Sequence, residues 1–190
     1  RPRAKKPTDH RHRASLQPAF SARVPVPPPS LKGRALRLLA TREHSRLELA
    51  RKLQRFETSP GELNRVLDGL QAKGFIDETR VVASVIHRRA GRLGAGRIRQ
   101  ELQAKGLPVD AIRQAVAGLQ VSELQRAREV WRKKFAASQT ASSGIEGDPA
   151  RMAAERARQV RFLAARGFAG DTIRRVVSGA GDSMGDEYVG

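Results

Sequence analysis

Cysteine is absent from this sequence of 190 residues. Its absence excludes disulfide bonds, thiol catalysis and the common structural zinc sites. It also agrees with a reducing compartment, so we expect a cytoplasmic protein. The four histidines have no second ligand nearby, and no serine, histidine and acid converge in a local motif. The sequence therefore indicates no enzyme, no metal site and no cofactor.

Aromatic residues and long apolar runs are also scarce. Aromatics make up only 4% of the residues, which limits base stacking as a way of binding nucleic acid. No run approaches the roughly 20 apolar residues that a membrane-spanning helix needs. We therefore expect a soluble protein with no membrane contact.

Positive charge, in contrast, is abundant. The chain has 37 Lys plus Arg against 19 Asp plus Glu, a formal net charge of +18. A surplus of this size attracts polyanions through its long-range field. The basic, proline-rich start predicts a disordered arm over 1–30, and the acids near the end predict a flexible tail over 181–190. Because the first residue is Arg, we expect the chain to begin inside a longer reading frame.

One apolar signature recurs three times, at positions i, i+3, i+4 and i+7, which share a helix face. It is formed by Leu63, Val66, Leu67 and Leu70, then by Ile112, Ala115, Val116 and Leu119, then by Ile173, Val176, Val177 and Ala180. The copies are 49 residues apart, from 63 to 112, and 61 residues apart, from 112 to 173. Such periods are typical of helical repeat proteins.

Start and stop signals divide the chain into helices. Ser45 with Glu48, and Ser59 with Glu62, have the spacing of capping boxes. Glycines at 74, 91, 106 and 167 are placed to close helices. We predict helices near 31–41, 45–56, 60–73, 78–90, 95–105, 109–118, 122–137, 149–166 and 171–178.

The predicted fold class is all-α. Three tandem three-helix repeats form an elongated, curved array, right-handed or solenoid-like. The repeats span 31–76, 77–120 and 121–180, the last with a polar loop at 138–149. Units of this size are too small to hold a substantial core alone, so neighbouring repeats must share apolar surface.

The predicted core is the apolar stripe of these helices. Trp131 lies one turn before Phe135, and we predict that both pack inside instead of stacking on bases. The other predicted core residues are Leu53, Leu63, Val66, Leu67, Leu70, Ile98, Leu102, Ile112, Val116, Leu119, Leu163, Ile173, Val176 and Val177.

Basic residues on the outer helix faces are the candidate binding residues. The segment RRAGRLGAGRIR, from 88 to 99, holds five arginines and no acid. Arg97 and Arg99 flank the inward-facing Ile98, so they can line a groove. The full set is Arg51, Arg55, Arg88, Arg89, Arg92, Arg97, Arg99, Arg126 and Lys133. A solvated face with pairs such as Glu48 with Lys52 explains any one of them, but not the whole surplus.

The glycines of this segment resemble a phosphate-binding loop only superficially. Such a loop follows a strand, whereas helical patterns flank Gly91, Gly94 and Gly96. The favoured interpretation is a linker between helices. The functional alternative is backbone contact with phosphate at a helix N-terminus.

Two other interpretations compete with that of a helical repeat protein. The stretch from 45 to 78, taken alone, resembles a winged helix-turn-helix transcriptional regulator. That module needs a β-hairpin after Ile76, whereas DETRVVASVIHRRAG has a helical pattern. The second alternative, based on charge alone, is a DNA-binding protein without sequence preference.

Five segments carry a family resemblance. They are REHSRLELARKL at 42–53, LQAKGFIDETR at 70–80, RLGAGRIRQELQAKGL at 92–107, AREVWRKKF at 127–135 and RARQVRFLAARGF at 156–168. Together they resemble the RecX family, bacterial regulators of the recombinase RecA. The chain departs from the family pattern at Val81, where an aromatic residue commonly follows the equivalents of Asp77 and Arg80.

The resemblance implies three tandem three-helix repeats and a role in recombination, DNA repair and the SOS response. It implies binding to RecA and to RecA filaments on DNA. It also implies inhibition of filament extension and of the ATPase, strand-exchange and coprotease activities. We expect a monomer that touches acidic RecA surface and the phosphate backbone of single- and double-stranded DNA.

Overall fold

The computed structural model describes residues 28–140 and 148–182. The predictions for the arm at 1–27, for loop residues 141–147 and for the tail at 183–190 lie outside the described residues. Within the described ranges the regular structure is entirely helical, with nine α-helices and one short 3₁₀ turn. No helix in these ranges is long and apolar enough to cross a membrane.

The helices follow the predicted order. They are α1 Leu31–Thr41, α2 Arg46–Leu53, α3 Glu62–Ala72, α4 Glu78–Arg89, α5 Ala95–Ala104, α6 Val109–Val121, α7 Glu123–Thr140, α8 Pro149–Ala165 and α9 Gly170–Asp182. The 3₁₀ turn Gln54–Phe56 continues α2. Because α4 follows Ile76 where a winged domain would place its hairpin, the winged-helix alternative is wrong.

The helix ends confirm one predicted capping box and correct the other. The Ser45 capping box is confirmed, since the Ser45 Oγ accepts from the Glu48 N–H and the Glu48 carboxylate accepts from the Ser45 N–H. The Ser59 box is wrong. Gly61 caps α3 in the left-handed conformation, with φ 77°, so α3 starts later than predicted and the Glu62 carboxylate accepts from the Thr58 hydroxyl instead.

The predicted glycine stops are confirmed at three of four places. Gly74, Gly106 and Gly167 have positive φ. Gly91 does not, because α4 ends on Ala90 in an ordinary helical conformation and the chain then forms a turn into α5.

Each set of three consecutive helices encloses one apolar cluster, the first under α1 to α3, the second under α4 to α6 and the third under α7 to α9. All the predicted core residues are buried except Val66 and Val177, which pack partly buried against their clusters. Val81 is 1% exposed, so this small aliphatic side chain is fully packed in the second cluster. The buried Trp131 donates from Nε1 to Gln159 Oε1 at 3.0 Å, which ties α7 to α8.

The third repeat joins the second through backbone hydrogen bonds at the start of α5. The Gly94 N–H donates to the Arg166 carbonyl at 2.9 Å, and the Gly96 N–H donates to the Gly167 carbonyl at 3.1 Å. Between them, the Ala95 N–H donates to Glu123 Oε1 at 2.9 Å. The first N–H groups of a helix have no partner within the helix. Because the third repeat occupies them here, the alternative that they contact phosphate is wrong.

The glycines of this joint allow the two backbones to approach closely. A Cβ built on Gly94 would lie 2.3 Å from the Gly167 carbonyl oxygen. A Cβ built on Gly167 would lie 2.5 Å from the Arg97 nitrogen. The end of α8 can therefore dock on the start of α5 only without side chains at these positions.

The second repeat joins the first in the same end-to-end way. The Ser45 hydroxyl, at the start of α2, donates to the Lys105 carbonyl at 2.6 Å, just after the end of α5. The Lys105 Nζ lies 2.7 Å from Glu48 Oε1. The middle helices α8, α5 and α2 thus meet head to tail, so the partial charges of their dipoles are of opposite sign at each junction.

Glu48 is the charged centre of this first junction. Burial alone would raise the pKa of its carboxyl, but hydrogen bonds from Arg42, from Lys105 and from the Ser45 backbone outweigh burial and lower the pKa from 4.5 to about 2. The carboxylate therefore stabilises the folded protein in its charged form.

We expect Gly94→Ala to weaken the joint between the second and third repeats. The φ of −76° at Gly94 suits any residue, so the cost comes from the methyl group against the Gly167 carbonyl. Overpacking of this kind lowers the free energy of unfolding by about 1–3 kcal/mol. Urea denaturation followed by circular dichroism measures it.

The matched control is Gly118→Ala in the interior of α6, where nothing lies within 4 Å of the added Cβ. Replacing an interior helix glycine by alanine stabilises by about 0.5–1 kcal/mol. Equal unfolding free energies for the two variants would contradict the close approach at Gly94.

Glu48 also predicts a pH dependence of stability. Because its pKa is lower in the folded state, its contribution is complete above pH 4.5 and is lost as the pH falls from 4.5 toward about 2. Glu48→Gln removes the titrating group, so over this window the wild type should lose on the order of 2 kcal/mol more unfolding free energy than the variant. Denaturant titrations at several pH values measure the difference. If the unfolding free energies of the wild type and the variant changed equally with pH, the ion pairs at this junction would be ruled out.

Candidate functional site

Two of the predicted binding residues, Arg126 and Arg89, make hydrogen bonds or ion pairs with other parts of the protein. Arg126 was expected on an outer face, but its guanidinium donates to the carbonyls of Ala90 at 3.1 Å, Leu93 at 2.8 Å and Leu119 at 2.9 Å. It therefore holds the end of α4 and the end of α6 at the start of α7. Burial lowers the pKa of Arg126, and the Glu123 carboxylate opposes that shift. Arg89 pairs with Glu101 at 2.9 Å.

Four other predicted arginines, at the end of α4, in the following turn and in α5, are exposed, and we call them together the α4–α5 patch. Its members are Arg88, Arg92, Arg97 and Arg99. Arg88 donates to the Ser84 carbonyl of its own helix, and Arg97 donates to Gln100 Oε1. Within the described part of the chain none of the four pairs with a carboxylate. Their charge therefore remains available to a partner.

A second basic region, which we call the α1–α2 cleft, lies in the first repeat. Its volume is about 550 Å³. It is lined by Arg34, Arg37, Leu38, Arg51, Lys52, Arg55 and Phe56. The predicted binding residues include Arg51 and Arg55 but none of the other three cations. The spacing of Arg34 and Arg37 places them on one side of α1, yet only the packing of α1 on α2 shows that this side faces the basic end of α2.

The Phe56 ring organises the cleft. The Arg34 guanidinium carbon lies 3.9 Å from the ring centroid and that of Arg55 lies 4.7 Å from it. Both distances are within the range of cation–π attraction. Arg51 donates to the Ala104 carbonyl at 3.3 Å, so it also contacts the second repeat. Two of the four arginines in the lining, Arg34 and Arg55, are thus held in place by the ring.

Arg37 and Lys52 have no hydrogen bond or ion pair with any described residue. The expected pair of Glu48 with Lys52 is wrong, because Glu48 faces Arg42 and Lys105 across the junction. Lys133, on α7, is likewise exposed and without a carboxylate partner in the described ranges.

This arrangement can bind anions. Guanidinium and ammonium groups form short, charge-assisted hydrogen bonds with phosphate or carboxylate oxygens. The cleft lining contains no carboxylate to neutralise them. Among the residues that the structure describes, no cluster of histidine and acidic side chains could hold a metal ion.

Three models of the RecX family match the chain. The first three-helix domain matches residues 32–70, the second matches 77–116 and the third matches 149–177. The regulatory protein RecX of Leptothrix cholodnii is 53% identical over 148 residues, which is 78% of this chain and 87% of the relative. That of Ralstonia nicotianae is 43% identical over 168 residues, 87% of this chain and 99% of the relative.

Solved structures show the same fold. The crystal structure of a regulatory protein RecX superimposes with a TM-score of 0.61 at 22% identity, covering 78% of this chain and 71% of that one. RecX from Lactobacillus salivarius gives a TM-score of 0.59 at 17% identity, with coverages of 78% and 93%. On the domain matches and the identity to full-length relatives, the chain belongs to the RecX family of regulatory proteins.

Proposed function

We propose that this protein binds the RecA recombinase and its filaments on DNA, and that it inhibits filament extension, ATPase activity, strand exchange and coprotease activity. Membership of the RecX family carries the proposal, because regulation of RecA is the role for which the family is known. The protein acts by binding, as a monomer in the cytoplasm, and uses no cofactor or catalytic group.

The exposed cations support a mode of binding. The α4–α5 patch carries four positive charges without a carboxylate partner in the described ranges, on a chain with a formal net charge of +18. Fields of this size speed the encounter with an acidic partner and favour complementary surfaces. In the proposed complex the patch contacts acidic RecA surface and DNA phosphate together, while the interlocked repeats hold it in a fixed geometry.

The net charge also favours a second candidate function, DNA binding without a recombinase partner. Salt separates the two. Binding through phosphates alone weakens with a slope of about −0.9 per contact in log affinity against log salt concentration on duplex DNA. Binding to DNA-free RecA that persists at high salt would count against this second function.

We expect simultaneous reversal of Arg88, Arg92, Arg97 and Arg99 to Glu to weaken binding to RecA filaments at least tenfold without unfolding the protein, because all four are exposed. The readouts are RecA ATPase and filament length at low salt, with circular dichroism to check the fold. Retention of full inhibition would exclude the patch from the interface.

The control has the same change in net charge. Reversal of Arg65, Arg113, Arg128 and Arg132, which are exposed on α3, α6 and α7, tests whether location or total charge matters. Inhibition should be affected less than in the patch variant. If the wild type left RecA ATPase and filament length unchanged even at low salt, the proposed function itself would be wrong.

A further inference from the structure

We propose that the α1–α2 cleft binds the phosphodiester backbone of single-stranded nucleic acid. The inference rests on the proposed function, since it assigns one part of the basic surface to the nucleic acid strand of the filament. It nevertheless concerns a binding site that can be measured without RecA.

The charge and size of the cleft indicate its ligand. Five cations line it and no carboxylate does. Its volume is about 550 Å³, and it is widely open to solvent. A site of this size accommodates a short stretch of one strand. Proteins usually bind single strands of nucleic acid in a positively charged groove that follows the sugar-phosphate backbone.

Helix stability does not explain all of these cations. Arg51 and Lys52 lie in the last turn of α2, where positive charge is favourable to the helix dipole. Arg34 lies in the first turn of α1, which contains no acid, and a cation is unfavourable there. Arg51 and Arg55 are also like charges one turn apart, which is mildly destabilising. A bound anion would relieve both of these costs.

The cleft is built for phosphates instead of bases. Phe56 is the one aromatic side chain in its lining, and the guanidinium of Arg34 already lies 3.9 Å from the ring centroid. A base could stack on this ring only in competition with Arg34 and with Arg55, whose guanidinium carbon lies 4.7 Å from the centroid. Recognition through charge alone makes the binding independent of nucleotide sequence.

The distribution of the cations favours a flexible strand. They lie on α1 and at the end of α2, so successive phosphates of one strand can contact donors from both helices. Arg37 and Lys52 supply the free donors, since neither has a hydrogen bond or ion pair with any described residue. Arginine and lysine offer five and three N–H donors for such contacts.

The double variant Arg37→Ala with Lys52→Ala tests the site. Both residues are exposed, so the fold should be unchanged. The measurement is the fluorescence anisotropy of a labelled oligo(dT) strand as a function of salt, without RecA. Each phosphate contact on a single strand contributes about 0.7 to the slope of log affinity against log salt, so losing two contacts should reduce the slope by about 1.4. With equal affinities at about 1 M salt, the variant then binds about 25-fold more weakly than the wild type at about 0.1 M salt. The swap Arg37→Lys with Lys52→Arg should restore the slope.

The matched control is Arg113→Ala with Arg174→Ala. It removes the same charge from residues that already pair with Asp110 and Asp171. Its slope should stay close to that of the wild type. An unchanged slope in the cleft variant, or equal losses in both variants, would overturn the assignment of the cleft.

Two other ligands give distinct outcomes. If the cleft variant lost more affinity for a duplex of the same length than for oligo(dT), the commitment to a single strand would be overturned. If a poly-glutamate peptide bound the cleft more tightly than oligo(dT), the ligand would be an acidic protein segment and the inference would fail.

The same proteins separate this inference from the proposed function. A wild type that binds oligo(dT) through the cleft but leaves RecA ATPase unchanged would overturn the proposed function alone. A cleft variant that still binds oligo(dT) as tightly as the wild type would overturn the cleft alone, even if both proteins inhibit RecA.

Discussion

The structure depends on the way helix ends satisfy one another between repeats. A helix leaves donors unpaired at its start and acceptors unpaired at its end. Here the carbonyls after α8 meet the N–H groups at the start of α5, and the carbonyl after α5 meets the hydroxyl at the start of α2. Three small apolar clusters are thereby joined into one series without a large shared core.

Charged side chains also take part in joining the helix ends. Where a junction needs a donor for a free carbonyl, an arginine supplies it, as Arg126 does between α4, α6 and α7 and Arg80 does for Gly74. Within the α4–α5 patch and the α1–α2 cleft, Arg51 alone donates to a carbonyl of another repeat among the described residues. The patch and the cleft are two parts of the positive charge that the architecture leaves at the surface, and they are the surfaces from which binding is proposed.

The sequence predicted the helices and most of the core because both follow from a local period of 3.6 residues. It also placed three of the glycine stops, since left-handed closure needs little more than the right residue after a helix. The sequence did not predict the features that depend on contacts between residues far apart in the chain. Gly94 and Gly96 resembled a linker in sequence, and only the approach of Gly167 shows why position 94 requires glycine and why a side chain at position 96 would be crowded. The inward turn of Arg126 and the meeting of Arg34 with the end of α2 depend on neighbours that are distant in sequence.

Hydrogen exchange at the backbone amides of Gly94 and Gly96, followed by NMR, tests the end-to-end junction most directly. Amides in the first turn of a helix ordinarily exchange quickly, because they have no partner within the helix. Since these two amides donate to the carbonyls of Arg166 and Gly167, protection comparable to that of core amides in α5, such as that of Leu102, is predicted. Exchange as fast as at the start of an isolated helix would contradict the account.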